Sequence, residues 1–153
     1  MPNKTSIPIS DNHRRGIGTA LLLLDQMLSE IEEYARGREV RSVLYIERNA
    51  LSADQKASLL AEIAQMRDLL QELKDGLGLE AEAEHVGRKI WGQCSMFWEV
   101  LIGTKSRYLK GYGEPPPGLA EYLDPRIDLL IKRLRNLTDL VHPAERRLEG
   151  HDS

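Results

Sequence analysis

Apolar residues recur every three or four positions over long stretches of the chain, and this spacing predicts amphipathic helices. The clearest stretch follows a capping-box signature, Ser52 with Gln55 three residues later. Its apolar seam is Leu59, Ile63, Met66, Leu70, Leu73 and Leu77. A similar seam follows Ser10 and Asp11, either of which can cap a first helix that extends to about Gly37. Both seams have the alternating spacing of four and three residues that is typical of helix bundles.

Two further helices are expected on either side of a glycine- and proline-rich break at residues 111–118. The third helix is expected from about Glu80 to Lys110. The fourth is expected to begin at Asp124, with Pro125 in its first turn, and a polar tail begins at Pro143. The apolar face of the fourth helix is Ile127, Leu130, Leu134, Leu137 and Val141.

Four helices joined by short breaks predict an all-α fold, arranged as an antiparallel up-down four-helix bundle. Residues 38–48 fit neither a clean strand nor the register of the first helix, so we expect a short extra helix or an irregular connector there. The length of 153 residues indicates one domain. The predicted organisation is a flexible N-terminal arm over residues 1–9, a bundle domain over 10–142 and a polar tail over 143–153.

Composition indicates a soluble protein of a reducing compartment, and we expect a cytoplasmic location. Charged residues make up 29% of the chain and the net charge is −3. Cys94 is the single cysteine, so no disulfide can form within one chain. The apolar run Ile17–Leu24 after two arginines is too short for a membrane span and lacks the cleavage site of a secretion signal. No membrane association is predicted.

Charge is unevenly distributed between the two central helices. Residues 52–85 carry three basic and eight acidic side chains, whereas residues 86–113 carry five basic and one acidic. The simplest interpretation is that an acidic second helix lies beside a basic third helix. Lys105, Arg107, Tyr108, Lys110 and Tyr112 mix cations with aromatic rings, as single-strand nucleic-acid binders do. An overall pI near 5.8 argues against that alternative.

The third helix has an unusually apolar sequence. Glu99 is the single charge between Lys89 and Lys105, and a helix that is apolar nearly all round is normally buried nearly all round. It should therefore meet another subunit, a ligand or the connector over residues 38–51. We favour a homo-oligomer, most simply a dimer, with a protein partner as the alternative. The expected interface residues are Leu23, Met27, Tyr34, Trp91, Trp98, Glu99 and Ile102.

Carboxylates at the edges of apolar seams give a second set of expectations. Glu99 lies between Gly92 and Gly103, where small side chains allow close helix approach, so we expect it to pair with a cation from another helix or subunit. Asp25 and Glu32 lie seven residues apart on the first helix. Together with Glu99 they could hold a cation or act in acid–base chemistry. Pairing with arginine or lysine is the favoured alternative.

Histidines near the helix ends suggest a metal site. Glu82 with His85, and Asp139 with His142, are each three residues apart, and carboxylate-bridged di-metal bundles use Glu-x-x-His pairs on one helical face. In an antiparallel bundle His13 could join them at the same end. Such metal sites normally lie in the middle of helices. The favoured interpretation is therefore that these are solvent-exposed histidines.

Signatures of other chemistry are incomplete. Residues 103–106 resemble the end of a phosphate-binding loop but lack a glycine directly before Lys105 and a preceding strand. Cys94 has no activating neighbour in sequence and lies on the apolar face, so core packing is expected. No cofactor is predicted. The favoured function is a non-enzymatic helical bundle that self-associates or binds a protein, followed by a metal-binding bundle and then by weak nucleic-acid binding.

Overall fold

The structure, a computed structural model, describes residues 6–149, with side chains described through His142. Its helices are α1 (Asp11–Ala35), α2 (Ala53–Leu77), α3 (Val86–Ile102), a 3₁₀ helix (Ser106–Tyr112) and α4 (Leu119–Glu149). Over residues 6–149 the β-pairing consists of one isolated bridge, between Arg41 and Ile46. The prediction of an all-α fold is therefore confirmed. The antiparallel four-helix arrangement stays a prediction.

The chain divides into two compact units, Met1–Ala81 and Glu82–Ser153. In the first unit α1 packs against α2, and in the second unit α3 and the 3₁₀ helix pack against α4. Each unit is thus a pair of long helices joined by its own connecting segment. A single bundle domain over residues 10–142 stays a prediction.

The boundaries of α1 and α2 follow the capping residues predicted from the sequence. The Ser10 hydroxyl accepts a backbone hydrogen bond from the first turn of α1, and Gly37, at φ 98°, follows the helix. At the start of α2 the Gln55 backbone donates to the Ser52 hydroxyl at 3.1 Å, and the Ser52 backbone donates to the Gln55 side chain at 2.9 Å. Gly78, at φ 64°, ends α2 in the left-handed conformation that favours glycine.

The segment between α1 and α2 is an irregular connector, so the alternative of a short extra helix is wrong. It is nevertheless well fastened. The Glu47 backbone donates to the Val40 carbonyl at 2.8 Å. The Asn49 side-chain amide donates to the carbonyls of Tyr34 and Arg38 at 2.8 and 2.9 Å. The Arg38 carbonyl gains a donor in this way, and the Tyr34 carbonyl, which already accepts from the Gly37 backbone at 2.9 Å, gains a second one.

The chain ends differ from the predicted arm and tail. The Ile7 backbone donates to the Gly76 carbonyl at 2.7 Å, so the described part of the N-terminal arm is bonded to the end of α2. Residues 1–5 of that arm lie outside the described residues, as do residues 150–153 of the tail. Pro143 was expected to begin a polar tail, but α4 continues through it to Glu149. A proline removes one backbone hydrogen bond, and this helix continues despite that loss.

The third helix is shorter at both ends than the predicted Glu80–Lys110. It begins at Val86 because residues 79–85 have no apolar stripe that could pack against a neighbour, and short helices without packing are marginal. It ends at Ile102, after which a turn at Gly103 leads into the 3₁₀ helix.

The predicted start of the fourth helix at Asp124 is also wrong. The helix begins at Leu119, directly after Gly118 at φ 87°. Asp124 does not cap its own helix, because its carboxylate accepts hydrogen bonds from the backbone and hydroxyl of Ser106, both at 2.8 Å. Its side chain is therefore used to fasten the 3₁₀ helix to α4.

Each pair of helices has a small core. Among the described residues, the buried apolar side chains are Leu28, Ala35 and Ile63 in the first unit and Cys94, Ile127 and Ile131 in the second. The prediction that Cys94 packs in the core is thereby confirmed. In a pair of helices, each helix buries only the narrow strip of side chains that faces its partner. The remaining apolar residues stay open to solvent.

Candidate interaction surfaces

An open groove of about 390 Å³ runs between α3 and α4. We call it the α3–α4 groove, and it is lined by Leu101, Leu130, Arg133, Leu134, Asn136 and Leu137. Leu130 and Leu137 are 53% and 50% exposed, although the sequence placed them on the buried face of the fourth helix. They lie seven residues apart, and therefore two turns apart on one face of α4. The groove offers an apolar floor with one cation, Arg133, at its side.

The α3 face predicted as an interface is open to solvent in the single chain. Trp91 and Trp98 are 43% and 38% exposed, Phe97 is exposed, and Ile102 is half-buried. Of the residues of α3, which all lie in the described range, Cys94 alone is buried. The expectation that this helix is buried nearly all round is therefore wrong within its own unit. Within its unit α4 covers one side, and the other sides stay uncovered.

Glu99 lies on one of these uncovered sides. It is exposed, and within the part of the chain that the structure describes it makes no ion pair, so pairing with the neighbouring helix of its own unit is wrong. A Cβ added at Gly92 would have nothing within 4 Å, and one at Gly103 would contact only the carbonyls of its own helix, at 3.5 and 3.6 Å. The two glycines therefore mark no packed contact in this chain. Pairing with a second subunit stays a prediction.

The predicted interface residues of α1 are found in two different settings. Leu23 and Met27, one turn apart, are both exposed and form an apolar patch. Tyr34 is half-buried, and its hydroxyl donates to the Glu30 carboxylate at 2.9 Å and lies 3.5 Å from that of Glu47. The bond to Glu30 raises the pKa of Tyr34 above its ordinary value of 10.0. Tyr34 thus belongs to the polar contacts of the connector.

Asp25 and Glu32 pair with an arginine, as the favoured alternative predicted. Arg67 of α2 contacts the Asp25 carboxylate at 3.7 Å and donates to Glu32. Hydrogen bonds from Arg36 and Arg67 lower the pKa of Glu32 below its ordinary value of 4.5. A carboxylate that is already paired with guanidinium groups is poorly suited to bind a cation or to hold a proton.

A protruding apolar turn was missed by the sequence reasoning. We call it the connector tip, and it consists of Val43, Leu44, Tyr45 and Ile46. Val43 and Leu44 are 94% and 95% exposed. The signal in the sequence was an apolar run that fits the register of no helix and is flanked by Arg41 and Arg48. Apolar runs usually indicate burial, and here the run lies at the outside of a turn.

The residues of the metal hypothesis are all exposed: His13, Glu82, His85, Asp139 and His142. His85 is the residue before α3 and has an extended backbone, and Glu82 lies in the irregular segment ahead of it. These two side chains therefore do not share a helical face, and that premise is wrong. The described residues contain no group of three or more side chains placed to hold a metal ion.

The basic and aromatic residues after α3 lie at the 3₁₀ helix. Lys105 forms an ion pair with Asp128 at 2.5 Å. The Arg107 guanidinium lies 4.6 Å from the centre of the Tyr108 ring. The other members of this cluster are exposed. Two cations and one ring of the cluster are thus already engaged within the chain.

The contact between Ser106 and Asp124 fastens the second unit. Ser106 is the one buried polar residue among those described. Its backbone and hydroxyl hydrogen bonds lower the pKa of Asp124 below the ordinary value of 3.8, because they stabilise the ionised carboxylate. Ser106 and Asp124 are bonded to each other, which is consistent with a structural role for both residues.

No protein-family model, curated protein or solved structure matches the chain. Among the helices over residues 6–149, none is long and apolar enough to cross a membrane.

Proposed function

We propose that this chain is a non-enzymatic interaction protein that self-associates through the exposed apolar faces of its helices. One observation carries the proposal. Over residues 6–142 each helix pair buries three apolar side chains, whereas 23 large apolar or aromatic side chains are exposed. Sixteen of these exposed side chains lie on the four α-helices. Isolated exposed apolar residues are ordinary on a monomer, but clusters of them are typical of association surfaces.

The α3–α4 groove is the principal surface in this proposal. Its leucines and the exposed Phe97 and Trp98 lie along two neighbouring helices, which is the geometry that accepts the apolar face of a third helix. The antiparallel four-helix arrangement is part of the same proposal, because four helices enclose a core that two cannot. A second copy of the chain is the simplest source of the covering helices.

Several side chains that could perform chemistry are engaged in structural contacts, which supports a non-enzymatic function. Cys94 is buried between the helices of its unit, and Asp25 and Glu32 are paired with Arg67. The single cysteine is also the basis for proposing a reducing, cytoplasmic location.

The molar mass of the full-length protein as a function of concentration tests this function. Light scattering behind size-exclusion chromatography should give a dimer or a larger assembly at tens of micromolar, with a fall toward the chain mass of 17.4 kDa on dilution. Tryptophan emission should shift to the red on dilution, because Trp91 and Trp98 lose their cover. A clean monomer over the whole range would contradict the proposal.

A further inference from the structure

The connector tip is an ordered apolar knob. The Ser42 backbone donates to the Tyr45 carbonyl at 3.0 Å, and at its base the Arg38 guanidinium contacts Glu47 at 3.4 Å. These bonds, with those of Asn49, hold the turn in one conformation while Val43 and Leu44 stay in water. A preordered knob loses little conformational entropy when it docks.

Two arginines flank this knob. Arg41 and Arg48 are exposed, and in the described part of the chain neither forms an ion pair. Arg38, by contrast, is engaged with Glu33 and Glu47. The surface that fits the tip should therefore combine an apolar patch with carboxylates next to it.

A surface of that kind lies on α2 of the same chain. We call it the acidic face of α2, and it consists of Asp68, Leu69, Glu72, Leu73 and Asp75. The two leucines are exposed. Over residues 6–149 the three carboxylates form no ion pair, and Asp75 accepts one hydrogen bond, from Gln71. On the helix Asp68, Glu72 and Asp75 lie together, and Leu69 and Leu73 lie directly beside them. The face therefore offers an apolar strip next to a negative one, which is complementary to an apolar tip beside arginines.

The tip and the acidic face lie toward opposite ends of α2. Leu73 follows Ser52, the residue that starts the helix, by 21 positions, which corresponds to about 31 Å along the helix axis. Because the tip is part of the connector that precedes Ser52, it cannot reach this face in its own copy. The two surfaces can meet only between copies.

We propose that the connector tip of one copy docks on the acidic face of α2 of a second copy. This inference rests on the proposed function, since it names one contact of the self-association. Each copy has one tip and one face, so a two-fold arrangement forms the contact twice and leaves neither surface free. The exposed Ala57, Ala61 and Ala64 lie between the two ends and allow the paired α2 helices to approach closely.

Charge reversal with rescue tests the contact in the full-length chain. The tip variant is Arg41→Glu with Arg48→Glu, and the face variant is Asp68→Arg with Glu72→Arg. Each variant alone should raise the dissociation constant about tenfold or more, because like charges then meet at both contacts. An equimolar mixture should restore wild-type association, because the mixed dimer has opposite charges at both. Arg15→Glu, at an exposed site on α1, is the matched control.

Truncation of the connector tip is the second test of the contact. Val43→Ser with Leu44→Ser should also raise the dissociation constant about tenfold. Both positions are almost fully exposed, so the fold should be kept. Tyr112→Ser, at a site that is 93% exposed, is the control.

Sedimentation equilibrium separates the outcomes. A monomeric wild-type chain would overturn the proposed function itself. An associated wild type whose tip and face variants associate equally well would overturn this inference alone. Weakened variants that do not recover on mixing would also overturn it, because the tip would then bind something other than the acidic face. Weakening followed by recovery is the result we expect.

Discussion

The two helix pairs are held together by different interactions. Between α1 and α2, Arg67 joins Asp25 and Glu32 across the helices, and the connector adds further directional bonds. Between α3 and α4 the polar contacts lie at one end, around Ser106 and Asp124, and apolar side chains make up the rest. Hydrogen bonds and ion pairs stabilise a helix pair even when it is open to solvent. Apolar side chains stabilise it only as far as they are removed from water. The second pair should therefore depend more strongly on association.

Truncation in the core of the second pair tests its reliance on apolar packing. Ile131→Ala should reduce the free energy of unfolding by about 2–5 kcal/mol, because it removes one of the few buried side chains of that unit. Leu129→Ala, two residues away and exposed, should cost less, about 0.5 kcal/mol. Urea unfolding followed by circular dichroism measures both. Equal losses would show that the buried strip is not what holds α3 to α4.

Removal of the connector amide tests the polar fastening of the first pair. Asn49→Ala should cost about 1–3 kcal/mol, because the Arg38 carbonyl loses its donor and the Tyr34 carbonyl keeps only the Gly37 backbone as a donor. Asn12→Ala, at an exposed site in α1, serves as the control in the same urea titration. If both variants unfolded at the wild-type midpoint, the connector would not be stabilised by this side chain.

The Ser106–Asp124 contact should make the second pair sensitive to acid. Its hydrogen bonds lower the pKa of Asp124 in the folded chain, so its stabilisation is present above the ordinary pKa of 3.8 and is lost as the pH falls through the lower folded value. The difference in stability between wild type and Asp124→Asn should therefore be largest near neutral pH and shrink below about pH 4. Thermal melts across this pH range measure it, and a difference that is constant with pH would contradict the assignment.

Substitution of Glu99 should have the smallest effect on stability. Its effect should also differ between the monomer and the assembly. Because Glu99 is exposed and unpaired in the described part of the chain, Glu99→Ala should change the stability of the dilute monomer by about 0.5 kcal/mol or less. A carboxylate paired with a buried cation, as the sequence analysis expected, would instead cost about 3–5 kcal/mol on removal. A loss of several kcal/mol that appears only at concentrations where the protein associates would show that a second subunit pairs with this carboxylate.

Local signals were predicted well from the sequence, and long-range contacts were not. Caps such as Ser52 with Gln55 depend on residues three positions apart, so the limits of α2 could be predicted. The start of α4 could not, because Asp124 bonds to Ser106, 18 residues earlier, and a sequence pattern does not show that pairing. The same reasoning assigned Leu130 and Leu137 to a buried face, since periodicity indicates which residues share a face but not whether anything covers it.

The connector tip also shows that local conformation could be predicted from the sequence and exposure could not. Its apolar run was recognised as irregular, which is confirmed, but the nearly complete exposure of Val43 and Leu44 was not foreseen. Exposure there follows from the fastening of the turn by Asn49 and Glu47, and these contacts depend on how α1 ends. In physical terms, composition predicts how much apolar surface a chain carries, and tertiary contacts decide where that surface lies.

The most direct measurement is sedimentation equilibrium of Leu130→Ser with Leu137→Ser beside the wild-type chain. Both side chains are half-exposed in the α3–α4 groove, so their loss should leave the helices folded and raise the dissociation constant of the assembly about tenfold or more. Met96→Ser with Leu129→Ser, at exposed sites outside the groove, should associate like the wild type. If the groove variant and the control associated equally well, the groove would not be an association surface and the proposed function would lose its main support.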